Sequence, residues 1–314
     1  MGARLPERQH RVIGVGLACL DQLLLWQDMS RPVRESRIVG RDLQGGGMAA
    51  TAMVAAARLG GPAELWTAVG DDWVGDHILQ ELAREQVETG QVVRLPGGRT
   101  LMVTVCVDQA TGERHFMYSD GRSQPDQPVG DLARLAGAGC LLVDHGLPAS
   151  ELRAAREARR LGVPVVSDTG GLGDGNRPVL ACVDCAILSQ MGARSLGLGD
   201  DWAAACRQVQ ALGPRQVVVT LGERGLAFLD GDTFGALPAF AVEVVDTTGA
   251  GDVFHGAFCW GRARGWPLRD NLLFASAVAA LKCRRLGGRA GIPGRDEVHD
   301  FLAARGVRPP AGPD

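Results

Sequence analysis

The chain has 314 residues with 33 basic and 36 acidic side chains, a formal net charge of −3. Arginine supplies 32 of the basic residues and lysine one, Lys282. That excludes a Walker P-loop, whose lysine follows a glycine run, and leaves only Lys282, late in an apolar helical stretch, for any reactive-amine or protein-kinase chemistry.

Near-neutral charge gives no nucleic-acid footprint. The apolar stretches are interrupted by charge or glycine before reaching membrane-spanning length. The first eleven residues are polar, without the apolar core of a signal peptide. The eight cysteines fall mostly in apolar segments and read as reduced and buried, so a cytoplasmic location is expected. Cys182-x-x-Cys185 has no second pair at zinc spacing and reads as a helix end running into a core strand.

In chain order, Val12–Leu17 is the first predicted strand. An extended stretch follows over Leu23–Leu43, then an alanine-rich helix over Met48–Leu59 ending at Gly60-Gly61. Glu64–Val69 is a strand and Trp73–Glu85 a helix. Arg99–Tyr118 reads as a β-hairpin around Thr111-Gly112-Glu113. Cys140–Asp144, Val163–Ser167, Ala186–Ser189 and Gln216–Leu221 are strands, separated by helices at Ser150–Leu161 and Asp201–Leu212. Ala241–Val245 is a strand leading into a long helix, Gly249–Arg264. Leu268–Arg284 and Asp296–Arg305 complete the helices, and the tail beyond Gly306 is expected to be disordered. This alternation predicts one α/β domain over about residues 10–305, a mostly parallel sheet between helical layers. The stretches 23–43 and 99–120 break the rhythm and predict a small antiparallel sheet, a lid.

Five segments carry chemistry. The strongest is Val245-Asp-Thr-Thr-Gly-Ala-Gly-Asp252, a small-residue turn entering a helix. Free amides and the dipole of a helix start favour an anion, and Asp252 sits in the first turn beside it. A carboxylate there can take a proton from an attacking hydroxyl; capping by Thr248, with Asp252 complementing the dipole, is the competing reading. The others are Gln44-Gly-Gly-Gly-Met-Ala-Ala-Thr51, Gly70-Asp-Asp-Trp-Val-Gly75, Val219-Thr-Leu-Gly-Glu-Arg-Gly225 and Gly287-Gly-Arg-Ala-Gly291.

In order and spacing these segments resemble the ribokinase-like (PfkB) carbohydrate kinases from about Val12 to Leu302. The resemblance implies a three-layer α/β/α fold with a β-lid, and ATP-dependent phosphorylation of a primary hydroxyl on a small sugar, a ketose or its derivative. It implies Asp252 as general base, with Gly249, Ala250 and Gly251 as the anion hole. Asp21, Gly46, Gly47, Met48 and Thr51 fall at the sugar positions. Thr220, Gly222, Gly225, Thr247, Ala279, Cys283 and Gly287 fall at the nucleotide positions. It also implies ATP with Mg²⁺, admits a monovalent cation, and suggests a homodimer through the lid. The runs Gly45–Ala52, Ala55–Gly60, Val244–Ala257, Ala279–Cys283 and Gly287–Pro293 are similar to bacterial sulfofructose kinase, and the residues at Ser189 and Gly192 resemble the ketohexokinase-like branch.

The chain departs from the family pattern at four places. Thr51 stands where asparagine is usual, Met48 where a polar residue is common, and Ser189 and Gly192 where an Asn-x-x-Glu metal pair is expected. An anionic substrate would need lid cations, for which Arg34, Arg37, Arg41, Arg114 and Arg122 are candidates. Other readings are a nucleoside or sugar-phosphate kinase of the same fold, a catalytically silent sugar binder, and a dehydrogenase suggested by Gly14-Val-Gly16. The last lacks its third glycine, because Cys19 occupies that place.

Overall fold

The computed structural model describes residues 10–27, 37–108, 114–119, 128–170 and 177–308. The hairpin turn at 111–113, Arg34, Arg122 and most of the expected disordered tail lie outside these residues.

Strands β1 (Val12–Val15), β2 (Cys19–Trp26) and β3 (Ile38–Gly46) precede α1 (Met48–Arg58). Then come β4 (Ala63–Trp66), β5 (Ala68–Gly70), α2 (Trp73–Arg84), β6 (Val87–Glu88), β7 (Val93–Leu95), β8 (Met102–Asp108) and β9 (Arg114–Tyr118). The middle of the chain forms β10 (Cys140–Val143), α3 (Pro148–Leu161), β11 (Val165–Thr169), α4 (Arg177–Leu180), β12 (Cys185–Ser189), α5 (Gln190–Arg194) and α6 (Trp202–Gln210). The rest forms β13 (Gln216–Thr220), β14 (Leu226–Asp230), β15 (Thr233–Leu237), α7 (Ala250–Ala263), α8 (Leu268–Lys282) and α9 (Arg295–Ala303).

A nine-stranded sheet runs β15-β14-β13-β12-β11-β10-β1-β4-β6. It is parallel from β6 to β13, and β14 and β15 add an antiparallel edge. Successive residues point to opposite faces, so apolar runs such as Val217-Val218-Val219 bury both. Val218 joins a core with α1, α7 and α8, while Val217 and Val219 join one with α3 and α6. The carboxyl ends of β1, β10, β11, β12 and β13 share one edge, where open α/β sheets place their ligands.

The second sheet has the order β3-β2-β8-β9. Its antiparallel pairs β2–β3 and β8–β9 are joined by one parallel pair, β2–β8. Its first strand begins at Cys19, earlier than the sequence indicated.

Two expectations change. The strand expected over 64–69 divides, with β4 in the large sheet and β5 pairing with β7. The strand expected over Ala241–Val245 is absent. Val244 and Val245 are exposed, and the N–H groups of Val245 and Asp246 donate to the Cys283 carbonyl at 2.8 and 3.1 Å, which leaves them no sheet partner. The hairpin β14–β15, unassigned from sequence, occupies the sheet edge instead.

No helix among the described residues is long and apolar enough to cross a membrane.

Candidate functional site

Gly249 caps α7 at φ 71°, the left-handed region that glycine adopts without strain. Helix geometry leaves the amides of the first turn, Ala250 to Asp252, without α-helical acceptors. The preceding turn is held by Asp246, which is buried. Its Oδ1 accepts from the Thr248 N–H at 2.9 Å and the Thr248 hydroxyl at 2.8 Å, and its Oδ2 from the Gly287 N–H at 2.8 Å. Burial alone would raise this carboxyl, but these hydrogen bonds outweigh it and hold it below its ordinary value. Lys282 donates to the Asp246 carbonyl at 2.9 Å.

Asp252 lies half-buried in this first turn. Burial, and secondarily the charge of Asp168, push its carboxyl up to about 7, against a smaller opposing effect of His255. Asp168 on β11 is itself driven to about 8, by burial and then by Asp144. His255 Nδ1 lies 3.5 Å from Asp168 Oδ2 and 2.6 Å from the Gly251 carbonyl. Burial lowers the histidine below its ordinary value.

Asp21 projects from β2 against Gly46, where any Cβ would collide with its carboxylate. Burial raises the Asp21 carboxyl, while Cys19 and Arg289 oppose that shift. Gly46 ends β3, and Gly47 and Met48 begin α1. Thr51, expected at the sugar, is buried with its hydroxyl accepting from Arg289 Nε at 3.2 Å. Arg289 also donates to the Gly46 carbonyl at 2.9 Å and pairs with Glu81 at 3.2 Å. Gln44 accepts from the Gly288 N–H at 3.0 Å. The glycine segments at 45–47 and 287–288 are therefore directly linked.

Thr220 ends β13, its hydroxyl donating to Leu188 O at 3.3 Å, and Gly222 and Gly225 bracket a tight turn before β14. Thr247 accepts from the Ala250 N–H. Ala279 and Cys283 line the end of α8, one helical turn apart, and Gly287 reaches the Asp246 carboxylate.

Ser189 and Gly192 do not form a metal site. The Ser189 hydroxyl accepts from the Gly192 N–H at 3.1 Å, and a side chain at 192 would meet the Gly170 carbonyl at 2.9 Å. Among the described residues no cluster of three or more His, Cys, Asp or Glu could hold a metal ion. Of the lid arginines, Arg37 and Arg41 are exposed. Directly paired residues share a sheet face. Arg114 pairs with Val107 on the Asp21 face, whereas Arg41 pairs with Leu24 on the other. Gly16 packs against the Asp144 carboxylate, which closes the dinucleotide reading of Gly14-Val-Gly16.

Sequence reasoning missed Glu81, Asp144, Glu151, Asp168, His255 and the role of Arg289. Asp144 and Asp168 carried one usable signal, since each lies at the carboxyl end of a core strand.

Residues 15–295 match the family model described as pfkB family carbohydrate kinase. The chain is 27% identical over 293 residues to the ribokinase of Bacillus subtilis, covering 91% of this chain and 97% of that one. A crystal structure from Agrobacterium tumefaciens, assigned as a ribokinase, superposes with a TM-score of 0.88 at 31% identity, covering 94% and 98% of the two chains. Arabidopsis thaliana ribokinase, solved with ribose and ATP, gives 0.84 at 25% identity, covering 93% and 98%. The chain belongs to the pfkB family of carbohydrate kinases and is a sugar kinase, a phosphotransferase.

Proposed function

We propose that the protein transfers the γ-phosphoryl group of ATP to a primary hydroxyl of a small sugar, with Asp252 as general base. The observation that carries this reading is the Asp252 carboxylate in the first turn of α7, beside the amides that follow Gly249. Such amides stabilise charge on a transferring phosphoryl group without a lysine. With a carboxyl near 7, Asp252 is matched to taking a proton at neutral pH.

Asp21 would grip sugar hydroxyls from β2, with Gly46, Gly47 and Met48 lining that side. Thr51 would act through Arg289. The nucleotide would lie along Thr220, Gly222, Gly225, Thr247, Ala279, Cys283 and Gly287. Magnesium would arrive as the ATP complex, as part of the substrate, because positions 189 and 192 offer it no carboxylate. Exposed Leu43 and Met117 on the outer face of the small sheet support a homodimer through that sheet.

The ribokinases among the relatives favour a pentose, whereas the sequence runs near α7 and α8 favour a ketose. ADP release measured over pentoses, ketohexoses, sugar phosphates, sulfosugars and nucleosides tests this reading. Turnover of nucleosides alone, or of nothing, would overturn it.

A further inference from the structure

Asp144 and Glu151 are buried to 2% and 0% exposure and have no part in the reaction as proposed. Asp144 follows β10 at the sheet edge. Its Oδ2 accepts from the Leu17 N–H at 2.8 Å and the Ala49 N–H at 2.9 Å, and its Oδ1 from the Gly146 N–H at 2.9 Å. Leu17 leads from β1 into β2, the strand of Asp21, and Ala49 follows Gly46, Gly47 and Met48 in the first turn of α1. One carboxylate thus holds both segments that carry the sugar-side residues.

Glu151, in the first turn of α3, accepts from the Leu147 N–H at 2.7 Å and the His145 N–H at 2.9 Å. It is also hydrogen-bonded to Asp144. Among the described residues, the basic group in ion-pair range of either carboxyl is His145, 3.9 Å from Glu151 Oε2. Burial drives that imidazole down to about 4, so it is neutral at working pH. The other titratable groups within electrostatic reach are Asp168 on β11 and Asp252 and His255 on α7, none of them a cation at neutral pH. Two touching buried carboxylates without a cation cannot both ionise.

The geometry points to a pair that shares one proton, with Glu151 as the acid donating to an ionised Asp144, and Asp144 as the positioning residue for both sugar-side segments. Burial raises the Asp144 carboxyl as well, but backbone donors oppose that by favouring the charged form, and Asp144 has three against two for Glu151. Burial and the Asp144 charge push Glu151 to about 9, in keeping with this assignment.

The kinetic part of the test rests on the sugar-kinase reading, and the thermal part does not. Glu151→Gln and Asp144→Asn are made in the full chain, and sugar KM, ATP KM, kcat and Tm are measured from pH 5 to 9. Glutamine mimics a protonated glutamate, so Glu151→Gln keeps sugar KM within roughly 3-fold. Asp144→Asn turns an amide N–H towards backbone donors and raises sugar KM by roughly 10-fold or more, with a smaller change in ATP KM.

A carboxyl whose folded pKa is raised stabilises the fold below its unfolded value, near 4.5, and loses that contribution as pH rises towards about 9. Glu151→Gln abolishes this loss, so its Tm advantage over the wild type grows from pH 5 to pH 9. A Tm difference that does not change with pH overturns the proposal. So does an Asp144→Asn enzyme that keeps sugar affinity while Glu151→Gln loses it. If Asp144→Asn does not fold, the pH dependence of the Glu151→Gln difference decides alone. A wild type that phosphorylates no sugar overturns the proposed function and leaves the thermal test of the pair intact.

Discussion

Lys282 Nζ donates to the main-chain carbonyl of Asp246 at 2.9 Å, so the only lysine in the chain braces the turn that enters α7. It fixes the residue whose carboxylate ties Thr248 to Gly287, and so acts on the turn that enters α7 through the backbone. Lys282→Met keeps most of the volume but leaves a buried carbonyl without this donor, at a cost of about 1–3 kcal/mol. The expected result is a Tm lower by several degrees together with reduced turnover, measured by thermal shift and ADP release.

Asp252→Asn should fold normally and bind ATP while kcat falls by roughly 10²–10⁴. In the unmodified enzyme a general base works when deprotonated. Because burial first, and Asp168 second, raise its carboxyl to about 7, kcat/KM should rise with pH through about 7 and then level off. A profile flat from pH 5 to 8, or full activity in Asp252→Asn, would remove Asp252 from the base role.

Buried Arg289 joins partly buried Glu81, Thr51 and the Gly46 carbonyl in one cluster. Arg289→Met strands Glu81 and is expected to destabilise the fold by about 3 kcal/mol and to raise sugar KM. Adding Glu81→Gln should recover part of the stability, since it removes the uncompensated charge, while sugar KM stays high. Denaturant unfolding and initial-rate kinetics on the single and double variants separate the two effects.

On the small sheet, Leu43 and Met117 are exposed on the face opposite Asp21. If that face is the dimer contact, Met117→Glu should convert a dimer into a monomer in light scattering, because a charge buried in an apolar interface is costly. An unmodified protein that is monomeric at assay concentration would rule this contact out.

Much of the architecture was readable from residue order. Apolar runs of four or five residues marked the parallel strands, and an alanine-rich stretch behind three glycines marked α1. The Asp246–Asp252 run announced a glycine-capped helix start, because that geometry depends on consecutive residues and local dihedrals. Ala241–Val245 misled for the same local reason. Its β-branched composition suits a strand, but the Val245 amide donates to the Cys283 carbonyl at the end of α8.

The charge relationships were not readable in this way. Asp144 with Leu17 and Ala49, or Arg289 with Glu81, are brought together across long connections that no spacing rule encodes. Whether a carboxyl is an acid, an anion or a proton-sharing partner depends on its burial and on the donors that reach it from distant segments. Motifs and local pattern were therefore enough for the family and for the turn that enters α7. The protonation states around Asp252, and the links between its two substrate sides, arise only when the folded sheet edge brings the ends of β1, β10 and β11 together beneath α7.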